Sequence, residues 1–375
     1  MLKKDSKSIM SGYQIAFTGL KRQYNNLREE ILYATDQVLS SGQLMNGPHT
    51  QAFESWLANK NGVKHAVTCH SGTNALEILA AYWIQFENIN PPTVVLPAVS
   101  YVATANAFIR AGWDVYFADV DNYGVINPDT IPHNLSYQAI VVVGLYGSAV
   151  THHMSVRHWQ RWIKDSTLVI EDAAQHWLAA DCKRIGNGAA VSFDPMKNLA
   201  CYGNGGAVVT DVDDLADFAK DYRDNGKHTG HRGTGSNSRM SELDCATMMI
   251  KAAHIDSWQH RRQDIAVQYM DRFKDANLRC LIDDSNFHNH AFHKFVIEVD
   301  NRDEVRARLA EQGIETKVHY EHALPEHSAY RQYPAPDMLG ACYSLTRRAL
   351  SLPIYPELTD SEVEYTIKSV LDCVS

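Results

Sequence analysis

From His65 onward the chain alternates short apolar runs with longer runs of helical spacing. The short runs are Ala66–Thr68, Val94–Pro97, Val115–Ala118, Ile140–Val143, Leu168–Ile170, Val191–Phe193 and Ala207–Thr210. Several lack the polar alternation of a half-exposed strand, so they read as strands buried on both faces. Between them stand Thr73–Tyr82, Tyr101–Ala111 and Met154–Lys164, which read as helices. This alternation predicts an α/β fold with a mainly parallel sheet of seven strands covered on both faces. The last two strands lie too close for a helical crossover and fit an antiparallel pair.

Upstream, Leu20–Leu39 carries Leu27, Ile31, Ala34 and Val38 at helical spacing, and Gln51–Lys60 presents Phe53, Trp56 and Leu57 on one face. Downstream, a long helical stretch runs from about Cys245 through Lys251 and Trp258 to Phe273. Strands follow at Lys294–Val299 and Glu315–His319, with helices at Asp303–Gln312, Met338–Ala349 and Ser361–Cys373. The expected division is a polar arm over 1–18, a large α/β domain over 19–249 and a smaller C-terminal α+β domain over 250–375.

The apolar run ending at Ile170 is followed by Glu171 and Asp172. A carboxylate at the C-terminal end of a buried parallel strand sits where open α/β sheets hold ligands. Lys197 follows the apolar run Ala189–Phe193 and precedes Gly203, Gly205 and Gly206. A lysine at a buried strand end can form a Schiff base with a carbonyl. Pyridoxal phosphate (PLP) needs such a lysine, and an acid to keep its pyridine nitrogen protonated. A carboxylate about 4 Å from that nitrogen contributes about 4 kcal/mol at an effective dielectric near 20. Asp172 and Lys197 are therefore candidate halves of one cofactor site. Taken alone, the pair reads more simply as a helix cap and a surface lysine. Ser71-Gly72-Thr73-Asn74 opens the helix after the first strand, where free N–H groups and the helix dipole favour an anion. An ordinary N-cap by Ser71 or Thr73 is the alternative.

Composition narrows the field. A chain of 375 residues suits two domains, and its net charge of −9 argues against a nucleic-acid or anionic-membrane partner. The seven cysteines include no C-x-x-C pair, which fits a reducing cytosol. No apolar run approaches a membrane span, and the first residues do not resemble a signal peptide, so a cytoplasmic protein is expected. His288, His290 and His293 lack a Cys or carboxylate at a usual zinc spacing, and no metal site is expected. No G-x-G-x-x-G follows a predicted strand, which argues against a nicotinamide dehydrogenase.

The segments SGTNAL (71–76), IEDAAQ (170–175), SFDPMKN (192–198) and GNGGAVVT (203–210) together resemble the signature of the DegT/DnrJ/EryC1/StrS family of PLP-dependent sugar aminotransferases. The resemblance runs from about Leu20 to the C-terminus and implies the PLP aminotransferase fold of type I. It implies that Lys197 holds the cofactor and Asp172 keeps its ring protonated. It also implies that Gly72, Thr73 and Ser192 bind the phosphate, Tyr101 stacks on the ring and Gln175 lies near the phenolic oxygen. In the family the residue matching Asn237 reaches across a dimer interface, so a homodimer with shared active sites is expected. His319, Tyr320 and His327 match, more loosely, a segment near the sugar. Arg239 is expected to pair with Glu242, three residues on. Trp177, Asn204 and a short segment between Ile185 and Ser192 depart from the family pattern. The implied reaction moves an amino group, from glutamate, to a keto group of a nucleotide-linked deoxysugar for surface polysaccharide or glycoconjugate synthesis. Alternatives are another PLP reaction on the same fold, such as dehydration or transfer to a non-sugar carbonyl, and a catalytically silent regulatory protein. Dehydratase relatives carry His at the lysine position, and Lys197 favours transamination.

Overall fold

The computed structural model describes residues 12–86, 90–150, 167–179, 184–282 and 284–374, apart from the side chains of 284–286. The expected helix Met154–Lys164 lies outside the described residues.

Seven strands make one sheet: β1 His65–Cys69, β2 Thr93–Pro97, β3 Asp114–Ala118, β4 Ala139–Val143, β5 Leu168–Asp172, β6 Gly188–Ser192 and β7 Gly206–Thr210. Their order is β1-β7-β6-β5-β4-β2-β3. β3, β2, β4, β5 and β6 pair in parallel, and β7 is antiparallel to both β6 and β1. All seven apolar runs are thus strands, and the last two pair antiparallel as their short connection requires. Glu171 and Asp172 belong to β5 itself and close it. Because β7 alone runs the other way, the C-terminal ends of β1, β2, β5 and β6 share one edge with the start of β7.

Ten α-helices are described: α1 Leu20–Ser41, α2 Pro48–Asn61, α3 Gly72–Ile84, α4 Val102–Arg110, α5 Asp213–Tyr222, α6 Glu242–Ala252, α7 Ile255–Asp275, α8 Arg302–Glu311, α9 Gly340–Arg348 and α10 Asp360–Val374. Burial on both sheet faces explains the unbroken apolar strands. Ala190 of β6 packs with Leu76 and Leu79 of α3, while Ala189 and Val191 pack with Phe53 and Leu57 of α2 and Met248 of α6.

A second core gathers Tyr269, Phe273, Leu309 and Ile367 around a two-stranded antiparallel ribbon, β8 Phe295–Glu298 and β9 Ala349–Leu352. Ile15 belongs to this core and bridges Ile314, and Phe17 is also buried, within the segment expected to be a polar arm.

Three sequence expectations are corrected. The stretch from Cys245 to Phe273 is two helices, α6 and α7, broken at 253–254 with neither Gly nor Pro to mark the break. Glu315–His319 is no strand. Only Lys317 bridges Ser351, because the Glu315 N–H goes to Ile15 O and His319 O accepts from the Tyr146 hydroxyl. The helix drawn to Ala349 stops at Arg348, and Ala349 starts β9, whose residues Leu350 and Leu352 enter the second core.

Candidate active site

The shared strand edge opens into a cavity of about 470 Å³. Its walls include Ser71, Gly72 and Thr73 after β1, Ser100 and Tyr101 after β2, Asp172 of β5 and Ser192 of β6. Lys197, Asn204 and Gly205 come from the segment between β6 and β7, and His293, Lys294, His319 and Tyr320 from the C-terminal half. The residues of the first half meet here because they end or follow strands of one sheet, and the C-terminal half closes the cavity from outside that sheet.

Lys197 is held by a turn in which its N–H donates to Asp194 O at 2.8 Å, and the Met196 N–H donates to Asp194 Oδ1 at 2.8 Å. Burial pulls the Lys197 pKa below its ordinary range, opposed by the charges of Asp172 and Asp194. The neutral amine, the form that can accept a proton, is thereby favoured. Asp172 is buried, and its Oδ2 accepts from Thr104 Oγ1 at 2.8 Å. Thr104 is in turn 2.8 Å from Ser100 Oγ. Asp172 Oδ1 takes the Ala174 N–H at 3.2 Å, so α4 and the following turn both fix the carboxylate.

At the opposite wall Ser71 caps α3, accepting from the Asn74 N–H at 3.1 Å. The amides of Gly72 and Thr73 precede the first helical hydrogen bond and remain available to an anion. A Cβ at Gly72 would stand 2.6 Å from Ser192 Cβ. A Cβ at Gly206 would strike the Ser71 carbonyl group. These two glycines let the Ser71–Thr73 turn, β6 and β7 approach closely.

Gln175 lies in a run of turns, with no helix starting at β5. Its Oε1 accepts the Tyr146 N–H at 2.8 Å, and its Nε2 donates to the Tyr320 hydroxyl at 3.3 Å. Tyr146 is fully buried with φ of 63°, a left-handed backbone costly for a bulky side chain, and its hydroxyl donates to His319 O at 2.7 Å. Tyr101 stands at the mouth, 56% exposed, with its ring centroid 6.1 Å from that of Tyr320. His319 is tied to Ser351 Oγ at 2.8 Å, and burial drives its pKa well down, helped by the charges of Lys294 and Lys197.

Two sequence-predicted residues stand away from the cavity. His327 faces His322 and Tyr330 instead, at centroid distances of 5.8 and 6.0 Å. Asn237 is exposed, and its Oδ1 accepts from Arg239 at 3.4 Å. The Arg239–Glu242 pair is also corrected. Arg239 pairs with Asp224 at 3.3 Å, while Glu242 takes the Gly47, His49 and Thr50 N–H groups and the Thr50 hydroxyl at the start of α2. Free amides at a helix start hold the carboxylate better than a half-buried guanidinium three residues away, which pairs with Asp224 instead. The sequence reading missed Thr104, Asp194 and Lys294. A charged residue opening an apolar strand run was the one signal for Lys294. Among the described residues no three His, Cys, Asp or Glu side chains cluster as a metal site would require.

The cavity fits PLP. It offers a half-buried lysine with no ion pair among the described residues, a fixed carboxylate and a glycine-cleared helix start as an anion cradle. A sequence model of the DegT/DnrJ/EryC1/StrS aminotransferase family matches residues 25–371. The chain belongs to this family. As a member it is a PLP-dependent aminotransferase. A dTDP-3-amino-3,4,6-trideoxy-alpha-D-glucose transaminase of Streptomyces venezuelae is 31% identical, over 95% of this chain and 95% of its own. A protein named pleiotropic regulatory protein, from Geobacillus stearothermophilus, is 30% identical over 94% of this chain and 96% of its own. The crystal structure of S. venezuelae DesV in complex with a ketimine intermediate superposes with a TM-score of 0.87 at 30% identity, covering 96% of this chain and 98% of that one. The DegT-family chain described here shares with that structure the sheet that carries the cavity.

Proposed function

We propose that this aminotransferase transfers an amino group from glutamate to a keto group of a nucleotide-linked deoxysugar, supplying amino sugars for surface polysaccharides or glycoconjugates. The observation that carries the reading is the joint placement of Lys197, Asp172 and the Ser71-Gly72-Thr73 turn on one cavity, in a chain whose relatives are named for nucleotide-sugar transamination. Lys197 would hold the cofactor, Asp172 its pyridine nitrogen, and Gly72, Thr73 and Ser192 its phosphate. The bound cofactor supplies the electron sink that lets a Cα–H bond break. Lys197, once free, would carry the proton, and desolvation by burial, which lowers its pKa, favours the amine form that accepts it. Tyr101 would stack on the ring at the mouth, with Gln175 at its phenolic side. His319 and Tyr320 line the cavity and would face the substrate, whereas His327 packs against His322 and Tyr330 outside it.

The same proposal takes the active protein as a homodimer in the cytoplasm, with Asn237 acting in the partner's site. Its exposure here, away from its own chain's cavity, is what such a role needs. The free cysteines and the absence, among the described residues, of a helix long and apolar enough to cross a membrane are compatible with that compartment. The proposal keeps a large domain to about residue 249 and a small one from 250; the core around Tyr269, Phe273, Leu309 and Ile367 supports the small one, while Leu324, Cys342 and Leu345 pack with the core of the large sheet.

The test is to incubate the PLP form with glutamate and a panel of keto nucleotide sugars, and to follow amino-sugar products by mass. Borohydride should fix the pyridoxyl group on Lys197. Fixation elsewhere, or glutamate turnover with no sugar accepted, defeats the proposal. The regulatory name of one relative gives a second reading, a silent regulator, which the presence of both Lys197 and Asp172 opposes.

A further inference from the structure

Lys294 is a buried cation that the catalytic reading leaves unused. It immediately precedes β8, and its N–H donates to Tyr146 O at 2.9 Å, which fixes its backbone against the turn that also holds Gln175. The residue is 5% exposed and lines the cavity. Its ammonium lies 4.8 Å from the Phe17 ring centroid, yet makes no ion pair or hydrogen bond among the described residues. Burial, with the charges of Lys197 and Arg262, pulls its pKa well down, and Asp194 opposes this only weakly. A lone buried cation is costly unless an anion meets it.

That anion is distinct from the cofactor phosphate. The phosphate cradle comes from β1, β6 and β7, whereas Lys294 enters from the C-terminal half with His293, His319 and Tyr320. Lys197, His293 and Lys294 also line a smaller cavity of about 30 Å³ beside Phe17 and Arg262, which the cradle residues do not reach. Lys294 therefore stands on the lysine side of the site. Lys197 and Lys294 are the two lysines on the main cavity wall, and the cofactor takes Lys197. Arg262 is engaged by Ile354 O at 2.6 Å, and Lys251 by Ala200 O at 2.6 Å.

We propose that Lys294 binds the α-carboxylate of the amino-acid donor. The carbon that gives its proton to Lys197 carries this carboxylate one bond away, so the carboxylate must lie beside the Lys197 amine. A single deep cation suits a singly charged group, and a diphosphate would need more donors and water. A carboxylate on a uronic-acid acceptor has the same chemistry, and the experiment separates the two. The inference rests on the aminotransferase reading but not on the identity of the sugar.

The test compares wild-type, Lys294→Met and Lys294→Arg holoenzymes, each first checked for borohydride fixation on Lys197. Single-turnover absorbance gives the glutamate concentration at half-saturation and the maximal rate. Calorimetry with glutarate, which has no amino group, gives carboxylate binding without reaction. The expected result for Lys294→Met is half-saturation raised about 50-fold or more, a maximal rate within about 5-fold, and glutarate binding weakened in parallel. Lys294→Arg should recover most of the glutamate affinity. Unchanged glutamate saturation overturns the proposal. So does loss confined to uronic-acid acceptors, which assigns the carboxylate to the sugar, and so does failure of Lys294→Met to retain cofactor. If glutamate behaves as expected while no keto sugar is accepted, the carboxylate site stands and the sugar reading falls.

Discussion

The Thr104 hydroxyl donates to Asp172 Oδ2 at 2.8 Å, tying the first turn of α4 to the last residue of β5. The carboxylate is thereby oriented by a neutral donor, and its other oxygen takes the Ala174 N–H. Asp172→Asn should still hold PLP but lose the glutamate half-reaction by about 100-fold or more, since the ring is no longer kept protonated. Thr104→Val removes one hydrogen bond and should cost about 5- to 10-fold. Stopped-flow absorbance with glutamate measures both. Full activity in Asp172→Asn would remove this residue from the mechanism.

Gly72 and Gly203 make a matched pair for the phosphate cradle. A methyl group at Gly72 would press on Ser192 Cβ, whereas one at Gly203 meets nothing within 4 Å. Gly72→Ala should weaken PLP binding by about 100-fold, as the turn must move from its anion-binding geometry. Gly203→Ala should bind PLP like the wild type. Equilibrium dialysis of the cofactor-free variants decides it, and equal affinities would mean the cradle lies elsewhere.

The proposed sharing of sites between two chains makes a quantitative prediction for mixed subunits. Lys197→Ala and Asn237→Ala dimers should each be nearly inactive. Equal mixing yields about half heterodimers, each with one intact site, so activity should return to about a quarter of wild type. Co-purification through two different tags confirms exchange. If exchange occurs and activity does not return, Asn237 acts within its own chain.

Acid should loosen the start of α1 from α10. Arg22 donates to both Glu362 oxygens, at 2.8 and 2.5 Å, and this hydrogen bonding lowers the Glu362 pKa from 4.5 to about 2. The folded value lies below the unfolded one, so the contribution is full above pH 4.5 and is lost as pH falls towards 2. The Arg22 side chain is 41% exposed, which limits the effect to about 1 kcal/mol. Glu362→Gln should therefore be less stable to urea at pH 7, with the difference shrinking below pH 4.5. A constant difference across that range would contradict the assignment.

Much of this architecture was legible because strands buried on both faces leave unbroken apolar runs. All seven sheet strands could be read that way, and Asp172 and Lys197 were visible as polar residues at or after such runs. Other features depended on competition that spacing cannot express. Glu242 turns to the amides of α2, far earlier in the chain, and Arg239 then takes Asp224. The break between α6 and α7 carries no Gly or Pro. Lys294 hides in AFHKFVIEV as one more strand residue, and only the fold shows that its side chain ends in a cavity beside another lysine. Tyr146 gave no sequence signal at all, since its role comes from its backbone N–H and C=O meeting Gln175 and Lys294 and from its hydroxyl meeting His319 O.

The antiparallel register of β1 on β7 also dictates an order of assembly. Ala66 pairs with Val209, and the phosphate turn that follows β1 is pressed into shape by Gly206. On the ribosome β1 is made early but has no sheet neighbour until β7 has emerged. Joining them closes a long chain segment, a step whose entropic cost precedes any reward from the contacts. The cofactor thus cannot template the first half of the chain. It can only lock a sheet in which β1 has already found β7, its neighbour from far along the chain, and a nascent chain stopped before Gly206 should emerge unable to hold PLP.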